Sequence, residues 1–310
     1  VIAALLLAAL PLVYWTHGID AAPSLEQAGI ERVAVPANEA AAWQQAGFSV
    51  VATSARELAE RTTLPVPGLL PRANRASPTQ SPWITANGWR FRRSPDAEYV
   101  YELPAGRALL AAAESATYGV DALLQIDAAD VEAVGRLLAF LKQLPEAPLP
   151  TVSDFGLVDD GTPLVGEVIN LLTRRNLLFE LLRAPSERFR LNVKVGSREY
   201  PTRDAVDPSA FALKVRRDLG DDQRTLRLFG SEGVIARLVG DASRVRLHLI
   251  NYGGRNVEGL RVRVRGRYSS GEAYSLEDGK LTLEEHTSSD AATEVSLPRL
   301  GTYAVVDLKR

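Results

Sequence analysis

The apolar positions of this chain follow two different periods, and the change from one to the other divides it. Through the first two thirds, strand-like and helix-like stretches alternate. Ser24 and Gln27 offer a capping-box start to a helix, residues 32–35 form an apolar strand, 39–46 carry helical spacing and 48–52 form a second strand. Ser54 and Glu57 make another S-x-x-E box, which opens a short helix ending near Arg61. The Ala/Leu-rich residues 103–118 predict a helix, 122–126 a strand, and 131–144 an amphipathic helix stopped by Pro145, Pro148 and Pro150. A strand at 154–158 leads through the turn Asp159-Asp160-Gly161 into a helix with Thr162 as N-cap and Pro163 at its first position. Residues 177–182 and 190–195 read as further strands. Strands alternating with helices predict a mostly parallel sheet.

Beyond about residue 225 the helical period disappears. Segments 226–229, 234–239, 245–250, 260–264, 280–284 and 302–308 alternate with period two, with turns at Asn251-Tyr252-Gly253-Gly254 and Ser269-Ser270-Gly271. This predicts an antiparallel β-sandwich. RVRLHLI at 244–250 and LRVRVRG at 260–266 place arginines on one face and aliphatics on the other. Those rows read either as an anion surface or as a solvated face balanced by interspersed carboxylates. The expected division is a leader at 1–22, an α/β domain at 23–224 and a β-sandwich at 225–310.

The leader is expected because residues 1–15, VIAALLLAALPLVYW, are uncharged and apolar. The run has about the length of a signal-peptide core and is short of the roughly 20 residues that span a bilayer. A signal sequence ending near Ala21-Ala22 would make the protein secreted or periplasmic. An uncleaved membrane tether is an alternative, as is a buried first helix, which Pro11 disfavours.

Composition narrows the chemistry. A net charge of −2 in 310 residues gives no global attraction to nucleic acid. The absence of cysteine excludes disulfides, thiolate metal sites and cysteine nucleophiles. His17, His248 and His286 share no metal-ligand spacing, and no P-loop, G-x-G-x-x-G or EF-hand motif is present, so no cofactor or metal is expected. Oligomeric state, including a homo-oligomer, is left open.

The segments RVRLHLINYGGRNVEGLRVRVRG (244–266) and TEVSLPRLGTYAVVDL (293–308) resemble the terminal β-domain of TIM-barrel glycoside hydrolases of the β-galactosidase type. TVSDFGLVDDG (151–161) through NLLTRRNLLFELL (170–182) is similar to the glutamine-amidotransferase-like domain that precedes it in those enzymes. The resemblance covers roughly the C-terminal half of the chain. It implies a carbohydrate-active protein in which the amidotransferase-like part serves assembly rather than glutaminase chemistry. A full barrel takes about 250 residues, more than precede the β-domain here. The α/β region is therefore either a reduced barrel or a doubly wound sheet. The family's Asn-Glu acid/base pair has one literal match, Asn38-Glu39, whose glutamate equally suits the first turn of a helix.

Glycoside hydrolysis needs two carboxyl groups flanking one bond. The C-terminal edge of a parallel sheet is where ligand sites of barrels and open sheets lie. Asp127 after ALLQI, Asp154 in TVSDFGLV, and Asp160 beside Asp159 after GLV are the candidate catalytic residues. Asp127 equally serves as a helix N-cap, and Asp159-Asp160-Gly161 as a turn. Residues 64–104 hold a long Pro- and Arg-rich stretch in which Trp83, Asn87, Trp89 and Arg90 suit stacking and hydrogen bonding to a sugar. Those aromatics equally suit anchoring the loop. The expectation is a hydrolase with a glycan substrate. Its alternative is an inactive extracellular glycan-binding or assembly protein of the same architecture.

Overall fold

A computed structural model describes residues 10–70, 83–145, 149–230 and 233–310. Residues 10–69 and 90–145 form one compact unit, and residues 70, 83–89, 149–230 and 233–310 form another.

The first unit is built on a sheet of six strands and its helices, in chain order. They are β1 (Leu12–Tyr14), α1 (Ala22–Gln27), β2 (Arg32–Pro36), α2 (Ala40–Gln45), β3 (Ser49–Thr53), α3 (Ala55–Glu60) and β4 (Thr62–Leu64). The short strands β5 (Gly68–Leu70) and β6 (Trp83–Thr85) and the helix α4 (Gly88–Arg93) interrupt the series. It resumes with β7 (Tyr99–Glu102), α5 (Ala108–Tyr118), β8 (Ala122–Gln125) and α6 (Val131–Gln143). Six of these strands form one parallel sheet in the order β3-β2-β1-β8-β7-β4.

The order decides how the sheet is wound. The steps β1 to β2 to β3 and β4 to β7 to β8 run in the same direction across the sheet, and β8 returns to pair with β1. Right-handed crossovers in one direction place their helices on one face. A doubly wound sheet reverses direction at its middle strand and covers both faces. The helices agree with single winding. A Cβ on Gly135 of α6 would lie 2.0 Å from the Ala28 carbonyl oxygen, just past α1, so these two helices lie side by side. On the same face, the Tyr101 hydroxyl of β7 donates to buried Glu114 of α5 at 2.9 Å. The opposite face joins Tyr14, Ala34, Val100 and Leu123 into an apolar layer. The region is thus a barrel winding opened between β3 and β4.

Two expectations change here. Residues 12–14, expected within the leader, are a central strand, with Val13 and Tyr14 buried. Residues 1–9 of that expected leader lie outside the described residues. Among the described residues no helix is long and apolar enough to cross a membrane. Helix α1 starts at Ala22, with Pro23 in its first turn, so Ser24 lies inside the helix rather than capping it. The box at Ser54 does form, with Glu57 N–H donating to Ser54 Oγ and Ser54 N–H to Glu57 Oε2.

The second unit continues with β9 (Phe155–Val158), α7 (Pro163–Arg174), β10 (Phe179–Leu182), β11 (Asn192–Val193), α8 (Thr202–Ala205) and α9 (Pro208–Leu219). Its parallel sheet has the order β10-β9-β11, packed on a core that includes Phe155, Val168, Phe179 and Phe211. The antiparallel strands follow as β12 (Leu226–Phe229), β13 (Val234–Gly240), β14 (Arg244–Asn251), β15 (Val257–Arg265) and β16 (Ser270–Ser275). The last four are β17 (Gly279–Leu281), β18 (Glu284–Ser288), β19 (Ala292–Leu300) and β20 (Tyr303–Lys309). They make a four-stranded sheet, β12-β15-β19-β18, and a five-stranded sheet, β13-β14-β20-β16-β17, around one aliphatic core. The fold is therefore an α/β region with parallel sheets followed by an antiparallel β-sandwich.

Candidate functional site

All six strands of the large sheet are parallel, so their C-terminal ends define one edge. At that edge Tyr14 of β1, Gln125 of β8 and Glu102 of β7 lie in one register row. Side chains two residues apart on a strand share a face. Asp127, two residues beyond Gln125, therefore stands on the face of Glu102 and Gln125. Strand spacing and rise put the Glu102 and Asp127 Cα atoms roughly 8 Å apart. Both carboxylates line a pocket of about 310 Å³, together with His17 and Gln125. Leu103, Pro104 and Ile126 supply its apolar wall.

The loops that carry these groups are fixed from below. Both carboxylate oxygens of Asp130, a buried residue, accept the Gly106 N–H at 2.9–3.0 Å, which ties the loop after β7 to the turn after β8. Leu103 N–H donates to the Gln125 carbonyl at 3.0 Å, and Asp127 Oδ1 accepts Ala129 N–H at 2.9 Å as N-cap of a single 3-10 turn. Asp127 thus has one oxygen committed to capping. His17 stands against the Trp15 ring, edge to face at 4.9 Å. The Glu102 side chain is solvent-exposed and forms no hydrogen bond or ion pair among the described residues.

Glu39 follows β2, at the same edge of the sheet. Its carboxylate is near enough to Tyr14 to disfavour ionisation of that phenol, whose pKa is raised first by burial and then by this charge. Asn38 is exposed, and Glu39 occupies the N-cap position of α2 without a side-chain capping bond. Among the described residues no group of His, Asp and Glu is arranged to hold a metal ion.

The other predicted residues sit elsewhere. Asp154 precedes β9, at the N-terminal end of that strand, which is the edge opposite to the one expected for a ligand. Its carboxylate accepts the N–H and hydroxyl of Thr225, and burial raises its pKa although those hydrogen bonds pull the other way. The Asp154 carboxylate is thus engaged by Thr225. Asp160 does follow the C-terminal end of β9, where its Oδ1 accepts the Thr162 N–H at 2.9 Å and hydroxyl at 2.7 Å. Asp127 belongs to one compact unit and Asp154 and Asp160 to the other.

The aromatic loop also differs from expectation. Asn87 is fully buried, and partly buried Trp89 packs against the core of Phe155 and Phe179. The Arg90 carbonyl accepts the Tyr99 hydroxyl at 3.3 Å. Trp83 lies in β6, and its side chain is outside the described residues. Glu102 and His17 were missed because short β7 and β1 were read as loop and leader. Recognising Tyr-Val-Tyr-Glu as a strand would have marked Glu102 as a strand-end acid.

No protein-family model matches the chain, and no curated protein matches it in sequence. Solved structures do match it. The α-L-fucosidase isoenzyme 2 from Paenibacillus thiaminolyticus aligns with a TM-score of 0.52 at 9% identity, over 88% of this chain and 71% of that one. The β-galactosidase from Rahnella sp. R3 aligns at 8% identity and a TM-score of 0.46, over 90% and 63% of the two chains. That from Bacillus circulans sp. alkalophilus aligns at 8% and 0.41, over 89% and 63%. This chain thus spans less than two thirds of either galactosidase. The likeness to the fucosidase is one of fold, and the chain has a glycoside hydrolase-like α/β fold with appended β-sheets.

Proposed function

We propose that this is a carbohydrate-active protein whose glycan site is the pocket at the C-terminal edge of the six-stranded sheet. The observation that carries the reading is the pair Glu102 and Asp127, two carboxylates from adjacent strands at one pocket on the ligand edge. In a hydrolase, one carboxyl group protonates the leaving oxygen and the other activates water or attacks the anomeric carbon. Gln125 and His17 supply hydrogen-bonding partners for sugar hydroxyls. Glu39, after the neighbouring strand β2, is a third acid at this edge.

A second reading is a glycan-binding protein without turnover. It is favoured by the opening of the barrel between β3 and β4, which leaves six strands where a closed (β/α) barrel has eight. A panel of chromogenic glycosides, run beside calorimetric titration with the same sugars, separates the two. Turnover that is lost in both Glu102→Gln and Asp127→Asn supports the hydrolase. Binding without turnover supports the second reading, and neither binding nor turnover overturns both. Export is part of the proposal, motivated by the apolar N-terminal run, and fractionation of the producing cells tests it.

A further inference from the structure

The outer face of the four-stranded sheet carries a cluster of arginines that its carboxylates do not balance. Arg227 of β12 stands directly opposite Arg263 of β15. Arg261 and Arg265 flank Arg263 at two-residue spacing on the same face. Like charges directly opposite one another destabilise a sheet. Glu294, opposite Arg263 on β19, lies 3.5 Å from Arg263 Nε and is shared with Arg261. Asp222 lies 3.6 Å from Arg227 Nη2, beyond hydrogen-bond reach. As a result Arg227 Nη2 and Arg263 Nη1 are both buried without a hydrogen-bond partner. Leaving a buried donor on a charged group unmet is costly, and here it occurs on two facing side chains.

Two of these arginines, Arg263 and Arg265, also border a cavity. Arg263, Arg265 and Arg310 line a pocket of about 620 Å³ with Gln223 and Tyr268. The Arg310 guanidinium stands 5.6 Å over the Tyr268 ring, and Arg265 Nη1 donates to Gln223 at 3.2–3.3 Å. The aspartates at this pocket are engaged elsewhere or open to solvent. Asp241 Oδ1 takes the Ser243 N–H and hydroxyl and the Arg244 N–H, Asp290 pairs with Arg267 at 3.2 Å, and Asp222 is fully exposed to solvent. An oxyanion with several acceptor oxygens is the chemistry that matches three forked guanidinium groups at one pocket, one of them, that of Arg263, with an unmet Nη1.

We propose that this pocket is an oxyanion site, at which Arg263, Arg265 and Arg310 hold the carboxylate or sulfate group of an acidic glycan. The oxyanion follows from the arginines, and the glycan as its carrier rests on the carbohydrate reading above.

The test is calorimetric titration of the whole chain at constant ionic strength with glucuronate, glucose 6-sulfate, glucose and inorganic sulfate. At least one sugar acid is expected to bind ten-fold or more tighter than glucose, and Arg263→Gln to weaken it at least ten-fold. Arg265→Gln, at a more exposed position, is expected to weaken it several-fold. Glu102→Gln leaves it unchanged, so failure of the other pocket is distinguishable from failure here. Removing one of two facing cations leaves folding intact, which far-UV circular dichroism of Arg263→Gln checks. Inorganic sulfate binding without either sugar acid retains the oxyanion site and overturns its glycan carrier. Equal affinity for glucose and the sugar acids, no anion binding, or unchanged affinity in both arginine variants overturns the proposal.

Discussion

The Asp154 carboxylate accepts the backbone N–H of Thr225 at 3.0 Å and its hydroxyl at 2.5 Å, joining residues 71 positions apart. Asp154 opens β9, and Thr225 immediately precedes β12, so the bond fastens the entry of the β-sandwich to the small parallel sheet. Asp154→Ala leaves the Thr225 N–H unmet and is expected to cost about 1–3 kcal/mol, read as a lower urea midpoint at constant slope. Glycan binding at the Glu102 pocket stays unchanged. The buried carboxyl also titrates above its ordinary value. Between the unfolded and folded pKa the native state holds the proton more tightly, so this group's share of stability falls as pH rises through that window.

Glu102→Gln and Asp127→Asn remove one proton-transfer or nucleophilic group each while keeping shape. Where turnover is measurable, each is expected to lower kcat by about 10²–10⁴ with a much smaller change in KM. Asp160→Asn, whose oxygen is engaged with Thr162, is expected to leave kcat within two-fold, about 0.4 kcal/mol in barrier. A loss in the Asp160 variant equal to that in the other two would remove Glu102 and Asp127 as the working pair.

His248 of β14 lies within hydrogen-bond distance of the Tyr303 hydroxyl, 2.7 Å from Nδ1, and faces Arg237 across the strand pair. Burial first, then the charges of Arg237 and Arg246, lower its pKa to about 3. An unfolded histidine titrates near 6.5. Between those values the unfolded chain binds the proton and the native one does not. Stability should therefore fall as pH drops from about 6.5 towards 3, by up to about 1.4 kcal/mol per unit from this group. Urea titrations of His248→Gln from pH 4 to 7 should show a flatter acid limb than the parent. Parallel curves would assign the acid loss to other groups.

The fold was legible where period and capping agreed. Thr162 with Pro163 fixed the start of α7, and alternation fixed β14 and β20, because those signals are local. The winding of the large sheet was not legible, since it depends on which strands pair, and β1, β4 and β7 have only three or four residues each. Asp127 was legible as a strand-end acid because a strong strand precedes it. Glu102 was hidden behind aromatics that read as loop, and Asp154 stands at the N-terminal end of its strand both in the sequence pattern at 154–158 and in the structure, so its strand alone gave no ground to set it at the ligand edge.

Gly135 lies within α6, where alanine ordinarily gains about 1 kcal/mol over glycine. Here a Cβ would meet the Ala28 carbonyl oxygen at 2.0 Å and the Ala28 Cβ at 2.9 Å. The contact involves backbone, which cannot swing aside as a long side chain can. Gly135→Ala is therefore expected to reverse the usual sign and destabilise by about 1–3 kcal/mol or more, measured by thermal unfolding. A gain in stability would show that the two helices separate without cost.

Arg246 and Asp307 form a bidentate pair across β14 and β20, with Nε–Oδ1 and Nη2–Oδ2 both 2.7 Å and side chains only 8% and 14% exposed. Such a pair is poor evidence of net stabilisation, because desolvation offsets much of the attraction. Removing one partner is different, since it strands a buried charge. Asp307→Ala should cost about 3–5 kcal/mol, whereas Arg246→Met with Asp307→Leu should unfold within about 1 kcal/mol of the parent or above it. Urea unfolding of Arg246→Met, Asp307→Leu and the double variant gives the coupling energy directly. A double variant as unstable as Asp307→Ala would mean that the ion pair, and not merely its completeness, holds these strands together.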